Sequence, residues 1–215
     1  SVQLGKDQVS RYITGLFAVQ DLSLQEARES SPQKGLPAIS IQPEEGRFLQ
    51  LLVRANNTKK ALEIGTLGGY SGIWIARGLP PGGKLTTLEV DSHHAQVAQE
   101  HFKAAGVADL IEVRVGDAHS ILQYLSDEDP FEFVFIDADK SGYEAYYEWA
   151  VENVPVGGVI TAHNTLRGGK VADDNEVDER TRVMRSFNSR VAKDPRVIST
   201  IYPAGDGTLV AVRIA

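Results

Sequence analysis

Glu63-Ile64-Gly65-Thr66-Leu67-Gly68-Gly69-Tyr70-Ser71-Gly72 is the stretch that decides the fold. It follows a short apolar run, 61–64, and opens a helical pattern near 70–78, so its glycines stand at a strand-to-helix turn. Glycine there lets the chain turn tightly and lets the backbone approach a ligand. Downstream, apolar runs at 84–90, 111–115, 131–136 and 158–162 alternate with helical patterns near 92–105, 118–125 and 142–152. Ser92 is placed to cap the helix near 92–105 and Gly106 to end it. Such alternation predicts a parallel sheet with helices on both faces. Two last runs, 197–202 and 208–214, flank Ala204-Gly205-Asp206-Gly207. That gap is too short for a parallel crossover, so the pair must be an antiparallel hairpin. The expectation is an α/β fold with seven strands, mostly parallel, ending in that hairpin.

Upstream, Val9, Tyr12, Ile13 and Leu16 fall at helical spacing, and Ser31-Pro32 breaks the pattern. Pro43 suits the first turn of another helix, with Phe48, Leu51, Leu52 and Ala55 as its apolar stripe. Residues 1–58 therefore read as a helical entry segment covering part of a site, within one domain spanning 1–215. The polar stretch 166–180, with Asp173, Asp174, Glu176, Asp178 and Glu179, reads as a solvated loop before a helix carrying Met184, Phe187 and Val191. The chain has 215 residues, a formal net charge of -7 and no cysteine. A nucleic-acid partner is not expected, because phosphate binding needs clustered Lys and Arg. Neither a disulfide framework nor a thiolate metal site is available. No apolar run approaches the roughly 20 residues that span a bilayer. Residues 1–6 lack a signal-peptide pattern, so no membrane partner and a cytoplasmic location are expected.

The glycine turn discriminates between ligands. A nicotinamide dinucleotide fingerprint is G-x-G-x-x-G, whose second glycine brings the backbone to a pyrophosphate. Here the spacing is G-x-x-G-G, with the acid Glu63 two residues before the first glycine. S-adenosylmethionine (SAM) carries no phosphate, and the departure suits it. Glu89, at the end of the second strand, can accept hydrogen bonds from both ribose hydroxyls.

Several spaced motifs agree in order. Leu62-Glu63-Ile64-Gly65 with Gly69-Tyr70-Ser71, then Asp137-Ala138-Asp139-Lys140, then His163-Asn164-Thr165-Leu166-Arg167-Gly168-Gly169, and finally Gly205-Asp206-Gly207, together resemble the cation-dependent caffeoyl-CoA and catechol O-methyltransferases. The resemblance covers roughly residues 30–215. It implies the Rossmann-like class I methyltransferase sheet and the following roles. Glu63 and Gly65 shape the methionine side of the SAM pocket. Ser71 binds near the methionine carboxylate, with help from the backbone near Ile41. Glu89 holds the ribose, Asp117 and Ala118 sit at the adenine, and Asp139 lies near the cofactor amine. Asp137, the residue at 163 and Asn164 bind a divalent cation, Mg²⁺ or Mn²⁺, which makes Asp137 part of the catalytic centre. Lys140 is the candidate general base, and a homodimer is implied.

Methyl transfer to a phenol needs a phenolate, although a phenol's pKa lies near 10. A cation chelated by two adjacent oxygens lowers that value and aligns one oxygen with the methyl group. The expected substrate is therefore a small aromatic vicinal diol. His163 departs from the family pattern, in which most members carry Asp. An imidazole removes one negative charge from the ligand set and suits other transition metals better than Mg²⁺.

Competing readings remain distinct. A metal-independent methyltransferase would use Lys140 or His163 as base, and chelation would leave it active. A non-catalytic SAM-binding protein would bind the cofactor without turnover, and an NAD-dependent oxidoreductase would prefer the other cofactor. Asp137 and Asp139 could simply cap the next helix. His93, His94 and His101 lie on a polar helix and read as solvated, while His119 reads as a wall of the adenine pocket. Tyr143, Tyr146, Tyr147 and Ala150 share a helical face and read mostly as core.

Overall fold

A computed structural model describes residues 5–215; residues 1–4, part of the stretch read for a targeting signal, lie outside the described residues. Three helices come first: α1 (Lys6–Phe17), α2 (Leu22–Gln33) and α3 (Pro43–Ala55). Strand and helix then alternate through β1 (Lys60–Ile64), α4 (Tyr70–Gly78), β2 (Lys84–Glu89), α5 (Ser92–Ala104), β3 (Ile111–Val115), α6 (Ala118–Leu125), β4 (Phe133–Ile136), α7 (Tyr143–Asn153) and β5 (Val159–His163). The chain closes with α8 (Glu179–Ala192), β6 (Val197–Tyr202) and β7 (Thr208–Arg213).

The seven strands form one sheet in the order β3-β2-β1-β4-β5-β7-β6. Every pairing among β1 to β5 is parallel, whereas β7 runs antiparallel to both β5 and β6. The hairpin thus folds back so that its second strand is inserted beside β5. The sequence places β6 and β7 as a pair but does not say which of them meets the sheet.

Alternation along the strands builds two cores. Leu62, Ile64, Val134, Ile136 and Ile160 face α6, α7 and α8, where they pack with Leu122, Tyr147, Met184 and Phe187. Ala61, Phe133, Phe135 and Val159 face the opposite way, onto Leu49, Val53, Trp74 and Phe102 from α3, α4 and α5. Successive strand residues point to opposite faces, and both faces are covered, so the runs read as nearly continuous hydrophobic stretches.

The strand order reverses at β1, which has β2 on one side and β4 on the other. A crevice opens at such a point beyond the carboxyl ends of the strands. Gly65 stands in it with φ +98, and a Cβ there would run into the Asp137 carbonyl. The turn after β1 and the turn after β4 can touch only because residue 65 has no side chain.

Four local expectations need correction. Asp91, not Ser92, caps α5: its carboxylate accepts from the His93 and His94 amides at 2.8 and 3.1 Å. β2 stops at Glu89, which leaves Asp91 in the extended conformation of a cap. Pro32 does not break its helix but lies within the last turn of α2. The apolar stripe of α3 is rotated: Gly46, Leu49 and Val53 are buried, whereas Leu51 is 59% exposed. His101 is 2% exposed rather than solvated, its ring held by the Gly68 carbonyl at 2.7 Å and the Ser30 hydroxyl at 2.9 Å. It ties α5 and α2 to the glycine turn.

Candidate active site

Four of the expected cofactor residues come together. Ile41, Gly65, Ser71 and Asp137 line one concavity at the carboxyl edge of β1 and β4, along with Leu67 and Tyr70. Glu63 lies beneath it, fully buried, accepting from the Ser71 hydroxyl at 2.5 Å and the Thr87 hydroxyl at 2.8 Å. Burial pushes the Glu63 carboxyl up to about 8, with the Ser71 and Thr87 hydroxyls opposing the rise and the Asp137 and Glu89 charges adding to it.

A stability prediction follows from that shift. In the folded protein Glu63 holds its proton from its ordinary value of 4.5 up to about 8, where the unfolded chain has lost it. The folded state binds more protons in that window, so stability falls as pH rises through it. Thermal unfolding of the ligand-free protein is expected to show a lower Tm at pH 8.5 than at pH 6. Glu63→Gln, which is neutral at every pH, should reduce the difference, the remainder belonging to His163, whose raised pKa acts in the same direction; an unchanged slope would assign it to other groups.

Glu89 sits at the end of β2, 8% exposed, and part of its carboxylate is already used. Oε1 accepts from the Leu67 amide at 2.8 Å and Oε2 from the Asp91 amide at 3.2 Å, so Glu89 also pins the glycine turn. Asp117 and Ala118 begin α6 beyond the end of β3. The Asp117 carboxylate caps that helix through the Ser120 amide at 2.9 Å, using Oδ2 alone. Asp139 accepts from the Tyr146 hydroxyl at 2.6 Å, and Tyr146 stacks on His119 with ring centroids 4.7 Å apart.

Asp137 and His163 meet at the ends of β4 and β5, with Asn164 next along the chain. His163 Nδ1 lies 3.5 Å from Asp137 Oδ1, and Lys140 Nζ lies 3.5 Å from the same oxygen. His163 Nε2 lies 2.9 Å from Oε1 of Glu45, a buried acid of α3. Burial disfavours the charged imidazole, but the Asp137 and Glu45 carboxylates outweigh it and raise His163 to about 10. Burial likewise pushes Asp137 up, yet His163 and Lys140 hold its carboxyl below the usual range. Asn164 has φ +61 and donates its amide Nδ2 to Asp206 Oδ2 at 2.6 Å. A carboxylate only accepts, so the Asn164 amide oxygen is turned away from Asp206.

Lys140 donates to the Tyr143 hydroxyl at 2.7 Å, and that hydroxyl donates to the His163 carbonyl at 2.9 Å. Burial lowers the Lys140 pKa, with the Asp137 charge opposing. His163, Asn164, Glu45 and Asp206 line a wide cleft whose far wall includes Ser10 and Ile13 of α1. Residues of α1 and α3 thus line this cleft. The stretch 166–180 begins as a kinked turn, with Arg167, Gly168 and Gly169 all at positive φ (+52, +65 and +92) and Gly168 on the wall of this cleft.

Among the described residues no group of three or more His, Cys, Asp or Glu side chains is arranged to hold a metal. The expected set meets a cation with one carboxylate, one imidazole and one amide. Its fit rests on a different observation: His163 Nδ1 is a buried nitrogen with no hydrogen-bond partner, turned toward Asp137. A cation bound beside Asp137 would take the place of the Nδ1 proton, and in that form the residues fit.

Glu45, Tyr143 and Asp206 were not legible as site residues. Glu45 follows Pro43 in a first helical turn and accepts from the Gln42 amide at 2.7 Å, the ordinary work of an acid there. Its contact with His163 spans 118 positions, and no local pattern encodes it. Tyr143 lies on the helical face read as core and is indeed fully buried, but its hydroxyl end reaches Lys140.

Comparison with known proteins finds relatives over nearly the whole chain. The family model described as O-methyltransferase matches residues 16–214. The chain is 42% identical over 197 residues to a catechol O-methyltransferase of Niastella koreensis, covering 91% of this chain and 89% of that protein. It is 37% identical to a catechol O-methyltransferase of Mycobacterium tuberculosis, covering 97% and 99% of the two. An O-methyltransferase from Bacillus cereus, solved in complex with SAH, superposes with a TM-score of 0.85 at 40% identity over 96% of this chain and 97% of that one. An O-methyltransferase of tomaymycin synthesis from Streptomyces achromogenes, solved with SAM, gives 0.87 at 34% identity over 99% and 100%.

Proposed function

We propose, from the premise that this chain belongs to the O-methyltransferase family and is a SAM-dependent O-methyltransferase, that it methylates one hydroxyl of a small catechol-like aromatic substrate with the help of a divalent cation. The observation that carries this reading is the contact of Asp137, which lines the glycine-turn concavity, with His163, which lines the neighbouring cleft together with Asn164. The catechol O-methyltransferases among its relatives support the substrate class.

When bound, SAM supplies the sulfonium methyl group, and a cation held by Asp137, His163 and Asn164 supplies acidification of the chelated hydroxyl. The chain's own residues do the rest. Gly65 lets the backbone come close to the cofactor, Ile41 and Ser71 bound its methionine end, and Glu89 presents a carboxylate to its ribose. Asp117 and Ala118 border the adenine, and Asp139 faces the amine. Lys140, with its pKa lowered by burial, takes the hydroxyl proton at Nζ. Orientation of the two reactants in line is the main contribution of such a site.

A second reading, turnover without a cation, is favoured by one observation. The Asp137 and Glu45 charges are already faced by His163 and Lys140. The deciding experiment is a methyl-transfer assay over catechols, caffeoyl esters, flavonoids and simple phenols, with products identified by mass spectrometry, run with and without chelator. Monomethylated catechols, with simple phenols inert and chelation inhibitory, are expected. Equal turnover of simple phenols would remove the basis for chelation.

A further inference from the structure

Every ligand expected at the cation site comes from β4 and β5, yet His163 is gripped from the other direction by α3. Glu45 is 1% exposed, and both its oxygens are occupied. Oε2 accepts from the Gln42 amide at 2.7 Å, which anchors the carboxylate to the start of α3. Oε1 lies 2.9 Å from His163 Nε2. A second element closes on the same group: Gly205, in the β6–β7 turn, packs so tightly on the Glu45 carboxylate that any Cβ there would overlap it. The acid is thus held by its own helix, by the histidine and by the turn carrying Asp206.

Because an ionised carboxylate only accepts hydrogen bonds, the nitrogen facing it must carry a proton. The other nitrogen, Nδ1, is the one presented to the site; it is buried with no hydrogen-bond partner, and the proton it carries opposite the Asp137 carboxylate in the ligand-free protein is the one a bound cation would displace. Its nearest charged neighbour is Asp137 Oδ1 at 3.5 Å. Metal-bound histidines are commonly oriented in this way, with the free N–H on a carboxylate that fixes the ring and strengthens the donor nitrogen.

We propose that Glu45 is a positioning residue: by accepting the Nε2 proton of His163 it fixes the imidazole so that Nδ1 is the nitrogen that ligates a divalent cation together with Asp137. The inference rests on the cation reading above. It adds a residue from α3 to the site and names the donor atom. It also explains how a chain that lacks the usual second carboxylate keeps negative charge nearby, across the imidazole ring from the cation position.

The test uses full-length protein and metal ions alone. Protein labelled with ¹⁵N-histidine is titrated with Zn²⁺, and the ring nitrogens of His163, assigned by comparison with His163→Ala, are followed by long-range ¹H–¹⁵N correlation. Zn²⁺ is expected to move the Nδ1 resonance while Nε2 keeps its proton. In parallel, calorimetry compares Zn²⁺ and Mn²⁺ binding to wild type and Glu45→Gln. Glutamine has one acceptor oxygen for two N–H donors, so it cannot serve both Gln42 and His163. Affinity should fall by about 10–100-fold, the usual cost of losing such a partner. Ligation through Nε2, or unchanged affinity in a folded Glu45→Gln protein, overturns the positioning role and leaves the cation reading standing. Absence of binding to wild type overturns the cation reading itself. The wild-type spectrum decides which nitrogen ligates even if the variant does not fold.

Discussion

Lys140→Met should lower kcat by about 10²–10⁴-fold, the usual contribution of a positioned base, while SAM affinity stays within a few-fold of wild type. The two effects separate because Lys140 Nζ contacts Asp137, the Ala138 carbonyl and the Tyr143 hydroxyl, and none of the residues lining the glycine-turn concavity depends on it except Asp137. Lys140 Nζ also lies 4.6 Å from the centre of the Tyr143 ring; methionine keeps much of the side chain's apolar stem and removes that ammonium, so the loss falls on the amine. Burial holds the Lys140 pKa below the ordinary lysine value. Turnover in wild type should therefore rise with pH through a limb that disappears in the variant. Single-turnover rates across pH, with calorimetry for SAM, check both halves. A variant within a few-fold of wild type would leave hydroxyl activation to the cation alone.

Glu89→Ala should weaken SAM binding by about 10–150-fold, corresponding to the roughly 1.5–3 kcal/mol of hydrogen bonds to a charged group. Two causes act together. The variant loses the acceptors at the ribose position, and it frees the Leu67 amide that Glu89 holds at 2.8 Å within the glycine turn. Glu89→Gln separates them, because its remaining oxygen can still hold Leu67 while ribose recognition is impaired. Calorimetry on both variants, with circular dichroism as the folding control, gives the comparison. Unchanged affinity in folded Glu89→Ala would move the ribose elsewhere.

The sheet was legible because its signals are local. Runs such as Phe133-Val134-Phe135-Ile136 have few other uses than a buried strand, and the five-residue link 203–207 around Gly205 and Asp206 forces a hairpin. The glycine turn was legible for the same reason: Gly65 is required where β1 and β4 approach each other. Position 163 was visible as a departure from the family motif. Its partners were less so, because the Glu45–His163 contact joins α3 to β5 and exists only once the sheet has closed. His101 illustrates the opposite error. Its neighbours on α5 are polar, but the ring turns inward to the Gly68 carbonyl, a contact that helical periodicity does not register. The rotated stripe of α3 has a similar origin: Gly46 supplies no hydrophobic signal, yet Trp74 packs directly against it.

The account's central claim is that a cation held by Asp137, His163 and Asn164 assists methyl transfer. The direct measurement is SAM-dependent methylation of catechol by chelator-treated wild-type protein, reconstituted in turn with Mg²⁺, Mn²⁺, Co²⁺ and Zn²⁺ at fixed pH. Imidazole favours the later ions and Mg²⁺ prefers an all-oxygen shell. Chelation should abolish turnover, and recovery should be greater with Mn²⁺, Co²⁺ or Zn²⁺ than with Mg²⁺, a ranking that His163→Asp shifts back toward Mg²⁺. Full activity in the chelated wild-type enzyme would contradict the claim.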